Sequence, residues 1–211
     1  MKFPILSIDG TKGSTLEVSD KLVKLKVNYK LIKFVIDWQL NQSKPRTAKT
    51  KQRNQITGST KKIVAQKGSG GARHASKKAP IFVGGGVAHG PKGAVYKNKK
   101  INKKVKKLAL AQTLSKKNLD KKFFILEDVK KEIKKTKEFN EFLKKNKLNN
   151  ILIISDEDSL KNINKSARNI KDLKLIKHQG TNIYDLFKYK NVMITSTSVK
   201  KIQERILNEK N

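Results

Sequence analysis

Short apolar runs alternate with amphipathic stretches along the second half of the chain. Strand-like segments at Phe123 to Glu127, Ile151 to Ile154, Leu173 to Lys177 and Asn191 to Ile194 are separated by helical patterns near 136–147, 159–169 and 182–188. A last helix carries Val199, Ile202 and Ile206. Short apolar strands alternating with helices predict βαβ units and a sheet buried on both faces. The expected fold class is α/β, with a mostly parallel sheet and flanking helices in a Rossmann-like three-layer arrangement. Upstream, Leu31, Val35 and Trp38 recur at helical spacing with Lys30, Lys33 and Asp37 opposite, which predicts a helix over 28–40. Ile101, Val105, Leu108 and Gln112 mark one face of another helix, with Lys103, Lys106 and Lys107 opposite.

Between these two helices the periodicity stops. Nine of the twelve glycines and three of the four prolines fall between positions 45 and 93. An irregular connection longer than about 15 residues is uncommon inside a compact domain and is then usually functional or disordered. The segment nevertheless contains Ile63, Val64, Ile81, Phe82, Val83 and Val87, which a plain linker does not need. It is expected to be an extended arm that orders on a partner. The predicted organisation is 1–41 as the first part of the α/β domain, 42–97 as the inserted arm, and 98–211 as the remainder.

Charge identifies the partner class. The 211 residues hold 50 Lys+Arg against 17 Asp+Glu, a formal net charge of +33. Self-repulsion on this scale is relieved when a polyanion neutralises it, which points to nucleic acid. The excess is uneven: from Trp38 to Leu119 the chain has no Asp or Glu and 21 Lys/Arg. A solvated face mixes both signs, so 82 residues without one sign imply selection for a polyanion. There is no cysteine, which excludes disulfides, thiolate metal sites and cysteine nucleophiles. The longest apolar runs are four residues, so the chain is expected to be soluble and unsecreted, with no membrane partner.

Enzymatic chemistry finds little support. Gly68-Ser69-Gly70-Gly71-Ala72-Arg73 begins like a dinucleotide fingerprint but places Arg73 at the third glycine. Gly85 to Gly90 has P-loop spacing, yet Pro91-Lys92-Gly93 follows where Lys-Ser/Thr belongs. Neither lies between a strand and a helix start, as phosphate cradling requires. His74 and His89 have no carboxylate near them in sequence, which favours base stacking or phosphate contact over acid–base work. His178 reads as an ordinary surface histidine. Asp156, Glu157 and Asp158 read as acids at a helix N-terminus rather than as metal ligands. Trp38, Phe123, Phe124, Phe139 and Phe142 read as core or helix-face positions. No cofactor, metal or catalytic residue is expected.

Phosphate contact, by contrast, has abundant material. Lys44, Arg46, Lys49, Lys51 and Arg53 form one basic block, Lys61, Lys62 and Lys67 a second, Arg73, Lys77 and Lys78 a third, and Lys92, Lys97, Lys99 and Lys100 a fourth. Intervening glycines let the backbone approach a sugar–phosphate chain and offer its N–H groups. Charge blocks separated by hinge residues suit folded RNA, which is recognised largely by shape. A continuous basic helix for a duplex groove is interrupted by Pro45, Pro80 and Pro91.

In this order, Lys49-Thr50-Lys51-Gln52-Arg53, Thr57-Gly58-Ser59-Thr60-Lys61-Lys62, Gln66-Lys67-Gly68-Ser69-Gly70, Ala72-Arg73, Ser76, Pro80, Gly84-Gly85-Gly86 and Gly90-Pro91 resemble the arm of the universal large-subunit ribosomal proteins of the bacterial L-four type. Ala167-Arg168-Asn169, Asn182-Ile183-Tyr184-Asp185-Leu186 and Val192-Met193-Ile194-Thr195 agree with the same family. The resemblance covers nearly the whole chain. It implies a non-enzymatic, structural rRNA-binding protein of translation, located in the cytoplasmic ribosome of a bacterium or in an organelle that encodes its own copy. The basic blocks above, with His74 and Ser76, would touch large-subunit rRNA. Neighbouring large-subunit proteins would be further partners, and no homo-oligomer is implied. Gln66, Lys67, Gly68, Ser69 and Gly70 would form the tip that lines the nascent-peptide exit tunnel and meets the nascent peptide. The chain departs from the family pattern at Ile63, Val64 and Ala65, at Gly71, at Ala75 and at Phe82-Val83, which leaves two positive charges fewer near that tip.

Two other function classes fit less well. An RNA-modifying enzyme would need a cofactor loop at a strand end, and a nonspecific DNA-compacting protein would need neither the α/β pattern nor the concentrated glycines.

Overall fold

A computed structural model describes residues 1–7, 12–45, 47–93, 100–133 and 135–207. The chain divides into two units, one of Met1–Leu40 with Lys100–Asn211, the other Asn41–Lys99.

The first unit is α/β. In chain order it holds β1 (Lys2–Leu6), β2 (Lys12–Glu17), α1 (Asp20–Val23), α2 (Tyr29–Ser43, which runs past the unit boundary), α3 (Lys103–Leu119), β3 (Phe123–Leu126), α4 (Thr136–Lys145), β4 (Ile151–Ser155), α5 (Glu157–Ala167), β5 (Leu173–Lys177), α6 (Ile183–Lys188), β6 (Asn191–Thr195) and α7 (Ser196–Leu207). The six strands form one mixed sheet in the order β2-β1-β3-β6-β4-β5. Only the β1–β2 pair is antiparallel. The four strands expected from the apolar runs are present within a residue of their expected bounds.

Alternating side chains feed two cores. On one face Ile5, Phe123, Ile125, Leu152, Ile154, Val192 and Ile194 pack with residues of α1, α2, α3, α6 and α7. On the other, Leu126, Ile151, Ile153 and Met193 pack with Phe139, Phe142 and Leu143 of α4 and Ile163 and Ala167 of α5. Burial on both sides explains why β4 reads as a continuous apolar run, Ile151 to Ile154, instead of alternating. Phe123, Phe139 and Phe142 are buried as expected, and Trp38 is partly buried beneath the Lys106 ammonium, 3.8 Å from its ring centroid.

Several local expectations change. The N-terminal hairpin had no sequence signal, because β2, Lys-Gly-Ser-Thr-Leu-Glu, is polar and β1 carries Pro4. The register shifts between Pro4 and Leu6, an irregularity that accommodates a residue without an N–H. Helix α2 starts one residue late because Asn28 caps it, its Oδ1 accepting from the N–H groups of Lys30 (3.1 Å) and Leu31 (3.3 Å). On α3 Val105 packs against the core and Gln112 is buried as expected, but Leu108 is 44% exposed, and burial extends through Ala109, Leu110, Thr113, Leu114 and Lys117, where α1, α6 and the sheet close round the helix.

His178 is not an ordinary surface histidine. Its side chain is 15% exposed, and Nδ1 lies 3.3 Å from Asp156 Oδ1 without hydrogen-bond alignment. Asp156 does precede α5, but its carboxylate accepts from Lys201 Nζ (2.6 Å) and does not cap the helix. That hydrogen bond holds the Asp156 carboxyl below its ordinary pKa. Glu157 is similarly lowered by Lys177, 2.9 Å away. Through lysines of their own unit, Asp156 ties the end of β4 to α7 and Glu157 ties α5 to the end of β5.

The second unit has a different construction. Its described residues 47–92 contain no helix or strand, only an isolated antiparallel bridge between Lys49 and Lys92. None of their apolar side chains belongs to the buried core, and Ile63, Ile81, Val83 and Val87 are exposed. The chain folds back on itself through backbone hydrogen bonds: Thr50 N to Pro91 O and Val87 N to Lys51 O (both 2.9 Å), Gly86 N to Lys78 O (3.0 Å) and Ile63 N to Ala75 O (3.2 Å).

Candidate nucleic-acid interface

The two legs of this unit, Lys49–Arg53 and Gly86–Lys92, are pressed together where glycine leaves room. A Cβ on Gly86 would lie 2.2 Å from Arg53 N, and one on Gly90 2.2 Å from Thr50 Oγ1. A Cβ on Gly85 would lie 2.0 Å from Ala79 O. These glycines therefore serve the chain's own packing and not approach to a ligand. Gly68 and Gly70 are of the other kind, with φ of +85° and +64° and nothing within 4 Å of an added Cβ. They turn the chain in open space.

The legs carry Lys49, Lys51 and Arg53 on one side and Lys92 on the other, so residues forty apart in sequence share one surface. Farther along, the Ile63–Ala75 hydrogen bond brings Lys61 and Lys62 towards the segment of Arg73, His74 and Ser76. Ser76 has structural partners: Oγ donates to Ser59 O (3.5 Å) and accepts from Lys78 N (3.3 Å). His74 packs edge-on against Phe82, with centroids 4.9 Å apart. Lys77 and Lys78 flank the turn that Gly86 closes on Lys78 O.

At Gln66–Gly70 all five residues are exposed. Arg73 Nε donates to Gln66 O (3.2 Å), and Lys62 Nζ donates to Gln66 Oε1, so two cations fix the entry to this turn while Lys67 projects beyond it. Lys44 follows α2 and is exposed, as is Lys100. Arg46, Lys97 and Lys99 lie outside the described residues.

Electrostatically the surface is single-signed. No carboxylate occurs from Trp38 to Leu119, and among the described residues no ion pair involves a cation between Lys44 and Lys100. Within the acid-free stretch, the described residues 47–93 are thus a set of uncompensated cations on a backbone with no hydrophobic core. Such a surface offers phosphate contacts in several directions at once. Among the described residues, no three His, Asp or Glu side chains are grouped to hold a metal ion.

A model of the ribosomal protein L4/L1 family matches residues 16–205. The chain belongs to that family. The large ribosomal subunit protein uL4 of Pelagibacter ubique is 48% identical over 206 residues, covering 97% of this chain and 99% of the relative. Its counterpart from Thermotoga maritima is 36% identical over 97% of this chain and 95% of its own length. That of Desulforapulum autotrophicum is 37% identical over 95% and 96%. The match covers all of the second unit and most of the first.

Two features of the interface had no sequence signal. The pairing of the legs runs through backbone atoms, which leave no residue pattern. Lys117, buried on α3, donates from Nζ to Tyr189 O (2.6 Å) and Lys190 O (3.1 Å), so one lysine of the acid-free stretch is structural. The family motif Asn182 to Leu186 is structural too. Asn182 Oδ1 accepts from Asp185 N (2.8 Å), Asp185 Oδ2 accepts from Asn182 Nδ2 (2.8 Å), and Lys174 Nζ pairs with Asp185 at 2.6 Å.

Proposed function

We propose that the chain is a structural constituent of the large ribosomal subunit, and that Asn41–Lys99 is an inserted arm that binds rRNA. The observation that carries this reading is the contrast between the units. One neutralises its acids with its own lysines around two hydrophobic cores. The other has cations without acids and exposes its apolar side chains, so it lacks the burial that stabilises a free domain and gains its stability from a polyanion. Family membership and the nearly full-length match to relatives named large ribosomal subunit protein uL4 supply the ribosomal context.

In this reading Lys44, Arg46, Lys49, Lys51, Arg53, Lys61, Lys62, Arg73, His74, Ser76, Lys77, Lys78, Lys92, Lys97, Lys99 and Lys100 contact rRNA. The tip at Gln66–Gly70 lines the exit tunnel beside the nascent peptide. Its exposure and the open space round Gly68 and Gly70 support a position against solvent-filled volume. Neighbouring large-subunit proteins are the remaining partners, the role is non-enzymatic, and the place of action is the cytoplasmic ribosome. Among the described residues no helix is long and apolar enough to cross a membrane.

Sedimentation of cell extracts through sucrose tests the reading. The chain should travel stoichiometrically with large subunits. Binding of the purified chain to large-subunit rRNA should weaken by roughly 10³- to 10⁵-fold between 50 and 200 mM salt if six to ten phosphates are neutralised. Sedimentation at the top of the gradient, or binding indifferent to salt, would overturn it.

A further inference from the structure

Beside the stapled legs of the second unit lies an open hollow of about 580 Å³, whose lining residues are exposed except for the partly buried Gln52. Its volume falls within the roughly 300–1,000 Å³ typical of small-ligand pockets. Arg53 and Lys92 line it as cations, Gln52 and Asn54 as amides, and Val87 with Pro80 as an apolar wall. His89 completes it. Each group has a counterpart in one nucleotide: a guanidinium fork for phosphate, amides that both donate and accept for a base edge, and a hydrocarbon and imidazole surface for the base plane.

The walls are held by features independent of any ligand. Val87 N donates to Lys51 O, Thr50 N donates to Pro91 O, and the turn Gln52–Gln55 closes through Gln55 N to Gln52 O (2.8 Å) and Gln52 N to Gln55 Oε1 (3.2 Å). Gly86 seats its leg directly on the Arg53 backbone. His89 stands at φ +56°, a left-handed conformation that a non-glycine residue seldom adopts and that here places a ring-bearing residue at the cavity. No acidic side chain occurs within the whole segment to compete for Arg53.

We propose that this cavity receives a single looped-out nucleotide of an RNA strand, with phosphate at Arg53 and Lys92 and the base between Val87 and His89 and against the Gln52 and Asn54 amides. The inference rests on the RNA-binding reading above and adds a base-reading pocket to an otherwise phosphate-directed surface.

The full-length chain is titrated, with fluorescence anisotropy as readout, against a labelled 12-mer of oligoadenylate and against the same 12-mer made abasic at its six central positions. Both carry the same phosphates. The native chain should bind the base-bearing RNA at least about fivefold more tightly. Asn54→Ala and His89→Gly should each bring that ratio close to one; glycine adopts the left-handed conformation at no cost, and circular dichroism melts confirm that the variants fold. Lys61→Ala, outside the cavity, should weaken both RNAs alike and keep the ratio. Equal affinity of the native chain for both RNAs, or a ratio that survives both cavity variants, overturns the pocket and leaves the RNA-binding reading standing. Binding of neither RNA overturns that reading as well. Adenosine monophosphate separates the sources: tighter binding of the free nucleotide than of the 12-mer would assign the cavity to a soluble nucleotide and contradict the proposal.

Discussion

Gly86 sits on the backbone of Arg53 so closely that a methyl group at its Cα would lie 2.2 Å from the Arg53 nitrogen and 2.5 Å from its Cα. Neither atom belongs to a flexible side chain, so the strain has to be relieved by parting the two legs. Together with the Thr50–Pro91 and Val87–Lys51 hydrogen bonds, this contact keeps Lys49, Lys51 and Arg53 on one surface with Lys92.

Gly86→Ala should therefore reduce rRNA affinity at least tenfold while leaving the thermal melt of the α/β unit unchanged. Gly70→Ala meets open space and suffers only the left-handed backbone, a cost of order 1 kcal/mol. It should bind rRNA nearly as the native chain does. Affinity and melting measured on both variants check this, and equal losses would show that packing at Gly86 does not organise the surface.

Limited proteolysis of the RNA-free chain should cut first between 47 and 93, where no hydrophobic side chain is buried, and only later at β3, β4 and β6, whose apolar residues are almost fully buried. Added rRNA should protect the early sites. Uniform resistance without RNA would mean that backbone hydrogen bonds alone stabilise this unit.

The sheet was legible because both of its faces are buried. Ile151 to Ile154 and Val192 to Ile194 are apolar at every position, and the intervening helices show their stripes, Phe139, Phe142 and Leu143 on α4 being an example. The hairpin of β1 and β2 was not legible, since an edge strand such as Lys12–Glu17 has few apolar side chains to display. In the second unit the sequence announced charge and glycine but not their arrangement. Thr50 meets Pro91, and Gly86 meets Arg53, through main-chain atoms that any residue possesses. Gly86 and Gly70 look alike in sequence and differ only in what surrounds them. His178 was misjudged for a related reason: Asp156 and Lys201, which enclose its surroundings, come from 22 and 23 residues away.

At the tip, Lys67→Glu should leave incorporation into large subunits nearly normal and alter nascent-chain passage or small-molecule binding in the tunnel, because Lys67 is exposed and the hydrogen bonds that fix Gln66 come from Lys62 and Arg73. Combined Arg46→Ala and Arg53→Ala changes should impair incorporation, since a guanidinium fork holds phosphate bidentately. Quantifying each variant in purified particles, together with ribosome stalling assays, distinguishes the two effects. Failure of Lys67→Glu to assemble would move Lys67 into the RNA-contacting set.

Burial, aided by the nearby Lys122 charge, lowers the Lys117 pKa to about 8 from its ordinary 10.5. Below pH 8 the ammonium is retained in both folded and unfolded chains, and its desolvation penalty is fully felt. Between about 8 and 10.5 the folded chain releases the proton that the unfolded chain keeps, so stability rises with pH through this window. Lys117→Met should lose this increment, of order 1–3 kcal/mol, whatever its absolute stability. Denaturant titrations of native and variant chains at pH 7.5 and 10 give the difference. An identical pH increment in both would show that Lys117 titrates normally.

Ultraviolet cross-linking of intact large subunits, followed by mass spectrometry of nucleotide-bearing peptides from this chain, tests the central claim most directly. Adducts should concentrate between Lys44 and Lys100, with peptides spanning Lys49–Arg53 and Gly86–Lys92 prominent among them. Adducts confined to residues 101–207, with Lys44 to Lys100 unmodified, would contradict the assignment of this segment as the rRNA-binding part of the protein.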